Sequence, residues 1–121
     1  MKSTVEALYA FFGGFGWPVY PEDGVPGPVR PPYITVKMIE PNWEDSASFY
    51  ARLWDRAPTP EAVYEKADEI RRAIGAGACV PLERGVLWIY RDANLMQRMP
   101  FPGDPTLHCV YMSLTMQAIT E

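Results

Sequence analysis

Histidine occurs once in this sequence, at position 108, and cysteine twice, at 79 and 109. A lone histidine is a poor start for a histidine-based nucleophile system or a zinc site. The cysteines have no C-x-x-C spacing. His108 and Cys109 are neighbours in a strand-like run, where successive side chains face opposite ways, so they are not placed to act as a pair. Basic charge is also scarce: 11 Lys and Arg stand against 15 Asp and Glu, a net charge of −4 with a pI near 5.0. That balance lacks the electrostatic footprint expected for nucleic acid or anionic lipid. No apolar run approaches the ~20 residues that a membrane span requires. The N-terminal run carries Glu6, which does not suit a signal peptide. Two cysteines without a secretion signal are expected to remain thiols in a reducing, intracellular setting.

What is present is a chain of 121 residues and 13.7 kDa with 48% hydrophobic and 13% aromatic content. Surface scaling gives ~6,600 Å² folded against ~20,000 Å² unfolded, enough burial for one core without metals or disulfides. The clearest element is the stretch from Thr59 to Gly75. Thr59 is read as its cap and Pro60 as its first helical residue. Val63, Ala67, Ile70 and Ile74 recur at helical spacing as one apolar stripe. Arg71 and Arg72 suit the negative end of the helix, and Gly75 supplies the residue that stops it. A one-sided helix needs an apolar sheet beneath it.

Along the chain, Ser3-x-x-Glu6 has the form of a capping box before a short first helix, Thr4 to Phe12. Gly13, Gly14 and Gly16 end that helix. Trp17 to Pro32 holds six of the 13 prolines. It reads as an irregular arm with room for a brief edge strand at Val19-Tyr20. The arm either wraps its own body or docks on a neighbour. Tyr33–Glu40 and Ser48–Arg56 read as strands joined by a turn at 41–45. Residues 76–83 read as irregular, Gly85–Asp92 as a third strand, Ala93–Pro105 as a loop, and Thr106–Thr120 as the last strand. The last run alternates with a period of two. The expected fold is α+β in one domain over residues 1–121: a single antiparallel sheet of about four strands, two helices on one face, and a Pro-rich extended arm.

No catalytic constellation emerges. The acidic pairs Glu22-Asp23 and Glu44-Asp45 lie beside turn residues and read as solvated. The Gly13-Gly14-Phe15-Gly16 run follows a helix and lacks the Lys-Ser/Thr of a phosphate cradle. Neither a cofactor nor a metal ligand set is expected. The remaining signal is apolar: Leu95, Met96, Met99 and Phe101 crowd one loop, Tyr50 and Trp54 line the second face of a strand, and Trp43 sits at a turn. With Tyr20 of the arm, these are the candidate subunit or partner contacts, and Arg52, Arg56, Arg91 and Arg98 would form a polar rim. Loops folded back over these groups would be the ordinary alternative.

Four stretches carry a resemblance: STVEALYAFFGGFGWPVY at 3–20, RPPYITVKMIEPNW at 30–43, SFYARLWDRAPTPEAVYEKADEI at 48–70, and MQRMPFPGDPTLHCVYMSLTMQAI at 96–119. Together they resemble a small minor tail protein of tailed phages and prophages of Gram-positive bacteria, similar to tail terminator, or tail completion, proteins. The resemblance implies a compact α+β subunit that assembles as a ring, typically hexameric. Such a ring caps the finished tail tube and provides the surface that joins the head. It implies partners among tail tube and head-completion or connector proteins, no cofactor, no catalytic residues, and no direct contact with nucleic acid or membrane. The expected location is the host cytoplasm during assembly and then the virion tail. A head-side connector role stays open beside it. The alternative from another class is a small ligand-binding or enzymatic α+β dimer with an apolar pocket between sheet and helices.

Overall fold

The computed structural model describes residues 4–40, 47–82, 85–99 and 101–119. Helix α1 spans Thr4–Gly13 and turns Ala7, Leu8 and Phe12 inward. It ends where Gly14 N donates to Ala10 O at 3.1 Å, and Gly16 follows at φ +93°, a conformation that favours glycine. Ser3 and its proposed capping box lie outside the described residues. Strand β1, Val19–Pro21, then runs parallel to β2, Tyr33–Glu40, with Val19 opposite Ile34. The parallel pairing is possible because the proline-rich arm between them provides the crossover that a hairpin turn cannot.

Strand β3, Ala47–Arg56, pairs antiparallel with β2 on one side. Its other edge pairs with β6, Leu107–Ile119. Its alternation places Phe49, Ala51 and Leu53 in the core, and Tyr50, Arg52 and Trp54 on the opposite face. Helix α2, Glu61–Ile74, buries Val63, Ala67, Ile70 and Ile74, the stripe read from the sequence. Its start differs from expectation. Pro60 occupies the cap position and no side chain caps the first turn. Thr59 therefore makes no such bond. At the other end Gly75 N donates to Arg71 O at 2.9 Å, and its φ of +52° suits glycine.

The expected four-strand antiparallel sheet is not what forms. The described residues build one mixed, curled, half-barrel sheet of six strands in the order β1-β2-β3-β6-β5-β4, seven if the interrupted β5 is divided. Three local readings account for the difference. Val19–Pro21 joins as a parallel edge. Residues read as irregular contain β4, Ala78–Pro81, paired with the start of β5. Most of the supposed loop belongs to β5, Val86–Met99. This strand breaks register between Arg91 and Met96, then resumes beside β6. Such a bulge interrupts the alternation that makes a strand readable.

Both helices pack on one face of the sheet and share a core with Ile34, Phe49, Leu53, Ile89, Met112 and Leu114. Helix α1 touches β1 and also β4, the two opposite edges of the sheet. A flat sheet could not bring its outer strands to one helix, so the curl encloses the helices and leaves the other face outward. Lys66 Nζ of α2 donates to Phe15 O at 2.6 Å and ties the second helix to the turn after the first.

Candidate interaction face

The outward face of the sheet is built from the residues that alternate with the core. Tyr20 of β1 sits beside Thr35 of β2, and its ring meets Tyr33 edge-on at 5.9 Å. Tyr33 is opposite Trp54, Thr35 is opposite Arg52, and Arg52 is opposite Tyr111 of β6. On β5, Trp88 and Tyr90 lie 4.6 Å apart as tilted rings. None of these aromatic side chains is fully buried, and no helix of the described chain covers them.

At the centre of this face, Tyr50 and Tyr111 stack tilted at 4.9 Å and Arg52 lies 5.0 Å from the Tyr50 ring centroid. Glu22, at the root of the arm, reaches over β2. Tyr50 donates its hydroxyl proton to Glu22 Oε2 at 2.8 Å, and Arg52 Nη1 lies 2.7 Å from Oε1. The Arg52 approach is an ion pair, and among the described residues the buried atoms Glu22 Oε1 and Arg52 Nε have no hydrogen-bond partner. Burial, and then the Glu22 carboxylate, push the Tyr50 hydroxyl up to about 12. The turn position of Glu22 suggests a solvated acid; the structure instead makes it the clamp of the arm.

Toward the other end of the face, Trp54 donates from Nε1 to Thr35 Oγ1 at 3.0 Å, which satisfies its one polar atom. Phe101 stacks on Trp54 at 5.7 Å. Met99 Sδ lies 4.0 Å from Cys109 Sγ. Burial pushes the Cys109 thiol up to about 12. Asp104 fixes the turn before β6: Arg56 donates to Oδ2 at 2.7 Å, and Thr106 Oγ1 lies 3.0 Å from Oδ1. The Arg56 bond, and then that of Thr106, hold the Asp104 carboxyl below its ordinary value. His108 points away, its Nε2 3.0 Å from Ala57 O, and does not join Cys109.

Of the eight residues picked from the sequence, Tyr20, Tyr50, Trp54, Met99 and Phe101 therefore share the outward face. Met96 does not. It pairs with Met112 on the helix side and is 38% exposed at the rim of α2. Leu95 lies in β5 by its backbone, with its side chain outside the description, and Trp43 is outside the described residues altogether. Sequence reasoning missed Tyr33, Trp88, Tyr90 and Tyr111. The signal was present, since each alternates with a core residue in its strand.

Two open clefts of ≈ 290 and ≈ 300 Å³ lie where β5 and the turn after it meet α2. The guanidinium of Arg98 stacks 5.0 Å from the Tyr64 ring centroid, and both residues line both clefts. Among the described residues no group of three His, Cys, Asp or Glu side chains could hold a metal ion, and no helix is long and apolar enough to cross a membrane.

Compared with protein-family models the chain matches none, and no curated protein matches it significantly.

Proposed function

We propose that this protein is a ring-forming structural subunit of a phage or prophage tail, a terminator or completion protein that caps the tail tube and contributes to head–tail joining. The reading rests on the four-stretch resemblance, and one structural observation supports it. The outward sheet face is rich in half-buried Tyr and Trp with Arg52 at its centre, and no helix of the described residues covers it, Glu22 and Phe101 lying across parts of it. Tyr, Trp and Arg are the residues that dominate protein interfaces. A monomer with nothing to bind would expose less aromatic surface on one side.

A non-enzymatic role is part of this proposal. Around the two clefts Asp104 is held by Arg56, His108 meets a backbone carbonyl, and Arg98 stacks on Tyr64. A ligand pocket would need such groups free to orient its guest. The proposed partners are further copies of this chain, the tail tube protein, and a head-completion or connector protein.

The test is the solution mass by light scattering across a concentration series, alone and with tail tube protein. Six copies of 13.7 kDa would give about 82 kDa. A closed species near that mass, in either condition, is expected. A chain that stays monomeric at every concentration and leaves the tube unchanged would overturn the ring.

A further inference from the structure

Between β1 and β2 the chain leaves the sheet at Glu22 and returns at Tyr33. Over this span it folds into two hydrogen-bonded turns, Gly24 N to Pro21 O at 3.0 Å and Val29 N to Pro26 O at 3.1 Å. No residue of the span 22–32 is fully buried. Glu22, Val25, Val29 and Pro31 are half-buried, the rest are exposed, and none belongs to the core between sheet and helices. Among the described residues its backbone bond to the sheet lies at the root, where Glu22 N donates to Val36 O at 3.1 Å.

What holds the span down is the Glu22 side chain. It crosses β2 to the centre of the outward face, accepts the Tyr50 hydroxyl proton at 2.8 Å and pairs with Arg52 at 2.7 Å. Arg52 in turn lies 5.0 Å from the Tyr50 ring centroid and 5.9 Å from that of Tyr111. One carboxylate therefore joins the span to a cation and two stacked rings. The contact is directional but incompletely satisfied, since Glu22 Oε1 and Arg52 Nε are buried without a hydrogen-bond partner among the described residues. A half-satisfied ion pair adds little net stability once its desolvation is counted. A region with few buried apolar contacts opens at lower free energy than the sheet beneath it. Pro26, Pro28, Pro31 and Pro32 restrict the free chain, so less entropy is lost when the span closes again.

We propose that residues 22–32 are a strap latched by Glu22, which opens and closes over the Tyr50–Arg52–Tyr111 centre while the sheet stays folded. Closed, the strap keeps its own carboxylate on Arg52. Open, it bares a cation and two tyrosine rings in the middle of the face. The latch decides when that centre can be touched, and it stands apart from the assembly reading above.

Hydroxyl-radical footprinting read by mass spectrometry tests the strap, because each side chain is oxidised according to its exposure. Glu22→Gln keeps the volume of the latch and removes its charge. Expected is oxidation of Tyr50, Tyr111, Val25 and Val29 that is faster on the order of threefold, as the closed state gives way to the open one. A bared Tyr50 alone would reflect only a moved side chain; Val25 and Val29 quicken only if the strap lifts. Arg52→Glu should do the same, and Glu22→Arg combined with Arg52→Glu should return all four to wild-type rates. Trp88 and Tyr90 on β5, and Phe49 and Leu114 in the core, should keep their rates, which separates opening from unfolding. Val25 and Val29 rates unchanged in both single variants overturn the strap. So do core rates that rise with the strap in every variant, and so does a swapped pair as open as the single changes.

Discussion

At the scale of single residues, environment divides chemically equal groups. Cys79 is exposed on β4, whereas Cys109 is buried beside Met99 with its thiol raised to about 12 by burial. Reactivity follows the thiolate. Alkylation of the native protein near pH 8 should modify Cys79 alone, and Cys109 only after denaturation; mass spectrometry counts the adducts. Tyr50 offers a pH test. Its folded value of about 12 lies above the ordinary tyrosine value of 10.0, so the folded state holds the proton longer than the unfolded chain. Its contribution to stability is complete below pH ~10 and is lost as pH rises from ~10 to ~12. Absorbance titration should show a tyrosine near pH 12 that disappears in Tyr50→Phe, while Tyr9, which burial also raises, stays late in that variant. If no tyrosine titrates later than the rest, Tyr50 is not held as described.

At the scale of elements, α2 is the part most open to reading from the sequence. Its stripe of Val63, Ala67, Ile70 and Ile74 is buried as its spacing requires. Ile70→Ala leaves a cavity against the sheet and should destabilise by ~2–5 kcal/mol in chemical denaturation. A denaturation midpoint unmoved by the change would mean that the stripe is not core. The strands were legible where apolar and polar residues alternate, as in β3 and β6. They were not legible where a bulge breaks that alternation in β5, or where four residues containing a proline form an edge, as in β4. The outward residues were partly legible for the same reason. Tyr50 and Trp54 stand out in β3 because Phe49, Ala51 and Leu53 already occupy the core face. Glu22 did not, because its turn position says nothing of the tyrosine and arginine that the folded sheet brings to it.

At the scale of the whole molecule, the aromatic outward face of the sheet leads to an assembly prediction. Met99 and Phe101 lie on that face but outside the helix-side core, with Phe101 on Trp54. Replacing both with Ser should reduce the assembled species to smaller ones while circular dichroism remains native. An unchanged mass in that variant would remove this end of the face from the interface.

The sequence by itself determined the local elements with a strong period: the amphipathic α2, the glycine stop after α1, and the alternating strands β3 and β6. Periodicity and backbone restriction act over neighbouring residues and can be read without the fold. Only the tertiary structure decided that the arm begins with a parallel strand, that β5 continues past its bulge, and that the curl brings opposite sheet edges to α1. These depend on pairings between residues distant in the chain, whose free energy no local pattern carries.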